Sequence, residues 1–294
     1  MSGLRAAVYI APPLKIESQL GSGSGGGYWS PIASTLIYSA TEAVLVDTPI
    51  TISQNEKLVE WIEKIAPGRK LTYIYITHGH GDHFFGGPVI QKRFPEAKVI
   101  ATKDTAAHMQ QQMDPATYQS LWAARFGDEI HPQPDVLAEA LPESNEFFLQ
   151  DKYKFQAIDV GHADTYDSTF LWVPDLRLAV AGDVVYGQVH QMLLEANTKE
   201  KREQWIAAIE KLETYEPLYV VPGHVQEGEI MGTWHLANTK QYLIDFGKTV
   251  EEEGAKTEAE IVKSMTAKYP DRFNVGALYL GAMGFVAAAK QAAA

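Results

Sequence analysis

Thr72-Tyr73-Ile74-Tyr75-Ile76 runs directly into Thr77-His78-Gly79-His80-Gly81-Asp82-His83. The first five residues are β-branched or aromatic, which reads as a buried strand. The next seven carry three imidazoles and a carboxylate, with two glycines between them. Lacking a Cβ, Gly79 and Gly81 let the backbone bend sharply. His78 and His80, two apart in extended chain, can point to one side. Asp82 and His83 come at the next bend and diverge from that pair, which implies a second ligand position. Pro88 then suits the first turn of a helix reaching about Phe94. Four such donors desolvated together would cost stability without a cation to hold. Neutral imidazole and carboxylate are what zinc-like cations bind.

Three more donors follow a common pattern. Phe155–Val160 leads into Gly161-His162, Leu176–Ala181 into Gly182-Asp183, and Leu218–Val221 into Pro222-Gly223-His224. Each time a strand ends, a glycine intervenes and a donor follows; sites in α/β proteins collect beyond strand ends. The candidate metal set is therefore His78, His80, Asp82, His83, His162, Asp183 and His224. His108, His131, His190 and His235 lack this context and read as ordinary. Asp47 ends Ala43–Val46 and precedes Thr48-Pro49, so it reads as a turn residue, with support of a ligand as the alternative.

In type and order these motifs resemble the metallo-β-lactamase-fold hydrolase superfamily, over about residues 30 to 230. The resemblance implies a four-layered α/β fold: an αβ/βα sandwich of two mixed β-sheets with helices on the outer faces. It implies two divalent cations, zinc first, with iron and manganese suited by the same ligands. It assigns His78, His80 and His162 to one cation, Asp82, His83 and His224 to the other, and Asp183 as the bridge. A hydroxide held between the cations is the nucleophile of such proteins. The zinc β-lactamases with a cysteine at the Asp183 position are excluded, because the chain has no Cys. Tyr186 matches a tyrosine that donates to the substrate carbonyl in acyl-homoserine lactonases; the alternative is a packing residue. Ala163–Ser168 departs from the usual His-Thr-x-Gly-Ser, which counts against a glyoxalase II assignment.

The expected activity is hydrolysis of a small cyclic ester or amide. Asp82 would hold the second cation, orient the nucleophile and shuttle a proton, and Tyr186 would hydrogen-bond the oxyanion. Thioester hydrolysis, or metal binding without hydrolysis, is the alternative.

A small-molecule substrate is what the resemblance implies. The net charge is −12, with no Lys/Arg cluster, which argues against nucleic acid. No run of 18 apolar residues exists, so no membrane span is expected. Pro12-Pro13 interrupts the apolar N-terminal stretch, and a cytoplasmic location is expected. A single domain over residues 1–294 could bury about 75% of its unfolded surface.

Residues 103–149 hold helical patches broken by Pro132, Pro134 and Pro142 and are too long for a plain loop. They read as an insertion over the metals or as a peripheral packing element. As a lid, they would make Trp122, Phe126, Phe84, Phe85 and Met192 apolar walls. Gly21–Gly27 reads as a flexible loop, or as a flap bringing Tyr28-Trp29 to the substrate. Helices are expected over Ser53–Ile65, Thr198–Tyr215, Trp234–Phe246, Thr257–Tyr269 and the Ala-rich C-terminal segment.

Overall fold

The computed structural model describes residues 3–16, 27–130 and 138–292. Residues 21–26, His131, Pro132 and Pro134 lie outside them. The strands are β1 Arg5–Ala11, β2 Leu14–Lys15, β3 Tyr28–Trp29, β4 Ile32–Tyr38, β5 Glu42–Val46, β6 Lys70–Tyr75, β7 Lys98–Ala101, β8 Glu139–Ala140, β9 Glu146–Leu149, β10 Tyr153–Gly161, β11 Ser168–Val173, β12 Leu178–Tyr186 and β13 Tyr219–His224. The helices are α1 Ile52–Ile65, α2 Gly87–Arg93, α3 Lys103–Gln112, α4 Pro115–Thr117, α5 Ala124–Phe126, α6 Lys199–Glu213, α7 Trp234–Glu251, α8 Glu258–Lys268 and α9 Val275–Ala292. A π-helical stretch, Tyr118–Ala123, joins α4 to α5.

Three cores separate four layers. On one face α1 packs Leu58 and Ile62 with Leu45 and Ile74 of the sheet. On the opposite face Trp205 and Ile209 of α6, Phe246 of α7 and Met265 of α8 cover Ala179 and Ala181. Between them Val44, Tyr75 and Ile100 face Phe155, Leu171 and Val180, so the sheet folds over on itself. This is the expected sandwich, with one difference. Eleven strands hydrogen-bond as one continuous sheet, in the order β8-β7-β6-β5-β4-β13-β12-β11-β10-β9, with β1 also on β4, while β2 and β3 pair apart from it. The two halves are stitched by one register pair, His224 to Ile32. The join lies at a candidate ligand, so the site sits where the halves meet.

Local signals explain several boundaries. Thr51 starts α1 with a capping box: its hydroxyl accepts from Gln54 N–H, and the Gln54 side chain accepts from Thr51 N–H. Thr198 caps α6 by accepting from Lys201 N–H. The expected insertion is shorter than read: β8 extends one sheet edge through β7, and β9 pairs with β10 at the other. The helical part, α3 to α5, supplies Gln112, Leu121, Trp122 and Arg125 to the cleft described below. The apolar N-terminal stretch is β1, paired antiparallel with β4. Helix α9 is long and apolar enough by composition to cross a membrane; a third of it is buried, and it packs on α8 and Leu193-Leu194.

Candidate metal centre

Strand β6 ends at Tyr75, and the next eight residues bring four donors to the rim. His78 and His83 are fully buried and their rings lie 4.1 Å apart. Neither Gly79 nor Gly81 is left-handed, so the two glycines serve space rather than backbone freedom. A Cβ on Gly81 would lie 2.4 Å from the Phe85 ring. Gly182 in β12 does adopt φ +49, and a side chain there would strike Thr77. It marks a bulge that turns Asp183 toward the histidines from within the strand rather than after it.

Each of four imidazoles has one nitrogen anchored away from the centre. His83 Nδ1 donates to Asp47 Oδ2 at 3.0 Å, and His224 Nδ1 to Pro31 O at 2.9 Å. Thr77 Oγ1 gives its proton to Asp47 Oδ2 at 2.7 Å, so it accepts from His78 Nδ1 at 3.1 Å. His80 Nε2 faces Glu195 Oε1 at 3.2 Å. The remaining nitrogens converge on carboxylates. His83 Nε2 is 3.2 Å from Asp183 Oδ1, and His224 Nε2 is 3.3 Å from Asp183 Oδ2 and 3.5 Å from Asp82 Oδ2. His80 Nδ1 is 2.9 Å and His78 Nε2 3.9 Å from Asp164 Oδ2.

Among the described residues these atoms form three overlapping groups of cation-ligand size: His78, His80 and Asp164; His78, His83 and Asp183; and Asp82, His83 and His224. His78 Nε2, His83 Nε2, Asp183 Oδ1 and both Asp164 oxygens are buried without a hydrogen bond. Buried polar atoms are normally satisfied, so these orphans point to a ligand between them.

The electrostatics agree. Burial alone would lower every imidazole pKa, and it pushes His78, beside His83, well below the usual range. At His224 the Asp183 and Asp82 carboxylates overcome burial and raise it to about 10. Carboxylates likewise hold His80 and His83 well above normal despite burial. Asp164, raised by burial, reaches about 6. The carboxylates thus demand positive charge, which divalent cations bound by imidazole lone pairs would supply. The donor set fits.

His162 is not brought into these groups. It is half-buried, and its Nδ1 pairs with Ala163 O at 2.8 Å. Asp164, not His162, groups with His78 and His80, the position the resemblance gave to His162. The register of β10 on β11 shifts between Asp159 and Gly161, and Ala163 N–H then bonds Thr165 O at 2.8 Å. That extra turn carries the chain two residues further before a donor reaches the rim. A signal existed: Asp164-Thr165-Tyr166-Asp167-Ser168 fits His-Thr-x-Gly-Ser in that register, with Asp167 taking the glycine position at φ +55.

Glu195 also escaped the sequence reading, since nothing local marks it. Contacts with His80 and Thr165 overcome burial and pull its pKa down to about 2. It is delivered by the Leu193-Leu194 segment, which lies against Gly281 and Gly284 of α9. Asp47 supports as well as turns: in a left-handed conformation (φ +57), it accepts from Thr77 N–H, the Thr77 hydroxyl and His83. Asp47→Ala should therefore cost about 3 kcal/mol of stability, from orphaned donors and a left-handed alanine. Metal affinity should fall about 10–100-fold through loss of His83 orientation. Chemical melts and metal titration of the variant check both.

The centre floors a cleft of about 790 Å³, counting space open to solvent. Trp29, Leu121, Trp122, Met192 and Leu280 form apolar walls, and Arg125 is the one Lys or Arg on the lining among the described residues. Trp29 Nε1 donates to Asp82 Oδ2 at 2.8 Å, and Trp29 packs on Trp122 and Phe126. Of the expected walls, Phe84, Phe85 and Phe126 are buried in the core and do not line the cleft. Tyr186 lines it beside Asp183, to whose Oδ2 its hydroxyl donates.

Residues 27–224 match the family model of the metallo-beta-lactamase superfamily. The chain belongs to that superfamily. Solved structures with this fold include DIM-1 metallo-beta-lactamase, 19% identical with TM-score 0.57, over 83% of this chain and 97% of that one. The metallo-beta-lactamase from Pontibacter korlensis is 20% identical with TM-score 0.55, over 82% and 99%. FIM-1 from Pseudomonas aeruginosa, in its mono-zinc form, is 16% identical with TM-score 0.53, over 82% and 91%. At these identities the likeness is one of fold. Among curated proteins, none matches the chain. Superfamily membership accords with the His/Asp groups as a divalent-metal centre of a hydrolase.

Proposed function

We propose that the protein is a dinuclear metallo-hydrolase acting on the carbonyl of a small cyclic ester or amide. The observation that carries this reading is the set of four outward-anchored imidazoles converging on three carboxylates at the floor of an apolar-walled cleft. His78, His80 and Asp164 would hold one cation, Asp82, His83 and His224 the other, with Asp183 between. Bound divalent cations would supply Lewis acidity and acidify water to a nucleophile near neutral pH. Zinc is the first choice, as in the mono-zinc FIM-1 structure.

The side chains do the rest. Trp29 fixes one Asp82 oxygen, leaving the other to orient the attacking water and pass its proton toward the leaving group. Tyr186 stays protonated, because burial and Asp183 hold its pKa well above 10, and it donates to the developing oxyanion. The cleft volume suits a small molecule, and flat indole walls suit a ring.

Arg125 would anchor a substrate carboxylate. Its Nη1 caps the Ser120 and Leu121 carbonyls, and no acidic partner is present among the described residues. Arg125→Met should raise KM for a carboxylate-bearing lactone or lactam about 10–100-fold with kcat kept, from loss of a charge-assisted pair. An uncharged analogue should be turned over as before.

A panel of lactones, lactams and thioesters, scored by kcat/KM with and without chelator, tests the reading. Chelator-sensitive hydrolysis that favours the cyclic esters or amides supports it. A preference for thioesters moves the assignment to that class, and turnover indifferent to chelator defeats the metal-dependent scheme.

A further inference from the structure

The resemblance led to an expectation of three imidazoles at the first cation position, and the structure puts a carboxylate there. Asp164 is fully buried, and neither oxygen has a hydrogen bond. His80 is held in register for it: Glu195 engages Nε2 at 3.2 Å, and Nδ1 lies 2.9 Å from Asp164 Oδ2. His78, anchored through Thr77, presents Nε2 to the same oxygen at 3.9 Å. The second position, Asp82, His83 and His224, has the same composition. Asp183 lies between the two: it groups with His78 of the first and His83 of the second, its Oδ1 3.2 Å from His83 Nε2 and its Oδ2 3.3 Å from His224 Nε2.

We propose that Asp164 makes the centre a chemically matched pair, in which each cation meets two imidazoles, one carboxylate of its own and the shared Asp183. This rests on the metal-centre reading above and adds two consequences. Both positions load over the same concentration range, because neither has the softer donor set. The preference for zinc over manganese is also weaker than three imidazoles would impose, since carboxylate suits the harder cation and imidazole the softer one.

The test reads binding rather than turnover. The full-length chain, dialysed against chelator, is titrated with zinc chloride and separately with manganese chloride against a chromophoric competitor. The unsubstituted protein should take up two equivalents of zinc with affinities within about tenfold of each other, as like donor sets require. Asp164→His should split zinc loading into two resolved steps, the first tightened roughly tenfold, and should weaken manganese by a similar factor. Asp164→Asn, which keeps the size and removes the charge, should lose about one equivalent of either metal and serves if the histidine variant does not fold. His162→Ala should retain both equivalents.

Loss of an equivalent in His162→Ala, or unaltered titrations in both Asp164 variants, would overturn the proposal. So would two zinc affinities in the unsubstituted protein separated by far more than tenfold, though the metallo-hydrolase reading would then survive. Absence of any zinc or manganese uptake would sink both.

Discussion

Asp183→Asn is expected to lower kcat/KM by about 10³-fold or more, because a shared carboxylate is the hardest donor for such a centre to replace. Its two oxygens face different histidines, Oδ1 at 3.2 Å from His83 Nε2 and Oδ2 at 3.3 Å from His224 Nε2. The amide keeps the volume and can still accept from Tyr186, so β12 should fold as before. What changes is charge and one donor atom. A neutral amide no longer offsets two dipositive ions, and its NH2 group must face either an imidazole lone pair or a cation. The fold should therefore survive while at least one cation is lost. Elemental analysis, a melting curve and turnover of the best panel substrate measure the three quantities together. A variant that keeps both metals and full activity would remove Asp183 from the centre.

The parts of the fold visible in the sequence were those with strong local signals. β6 is a continuous β-branched and aromatic run, and α6 begins at a capping threonine with apolar residues at helical spacing. β8 and β9 were read as insertion because two and four residues are too short to show alternation; their pairing partners decide them. The continuity of the sheet was invisible for a similar reason, since one residue pair makes the join.

At the site, the packed His-x-His-x-Asp-His group was legible because its donors are close in sequence and flanked by a clear strand. His162 is the donor expected when a ligand follows the glycine directly, and the structure groups Asp164 with His78 and His80 instead. That expectation fails where a register shift adds a turn, and the shift depends on how β10 meets β11. Glu195 reaches His80 because Leu193 and Leu194 sit close against glycines of α9, more than eighty residues later in the chain. Asp47 looked like a turn residue and is one by conformation; its second role, holding Thr77 and His83, appears only when β5 and β6 lie side by side.

Tyr186→Phe should reduce kcat by about 10²–10³-fold, the usual cost of removing one oxyanion donor, with KM moving much less. The phenol is 1% exposed, supported from behind by Trp205, whose ring lies 5.8 Å away and whose Nε1 donates to Val184 O at 2.9 Å. Phenylalanine keeps that packing, so the variant isolates the hydroxyl. The hydroxyl has two conceivable duties, because it already donates to Asp183 Oδ2 on the cleft lining. If its duty were to orient Asp183, metal affinity should fall about 10–100-fold alongside the rate. If it serves the substrate, both equivalents of metal remain and the loss is confined to the chemical step. We expect the second result. Asp183 also faces His83 and His224 and keeps those contacts without the phenol, whereas the other hydroxyl and amide side chains on the lining are engaged with neighbours: Asn274 donates to Ser30, and Gln112 accepts from Trp122. Metal content and kcat measured on the same preparation separate the two duties, and an unchanged kcat would leave Tyr186 as packing.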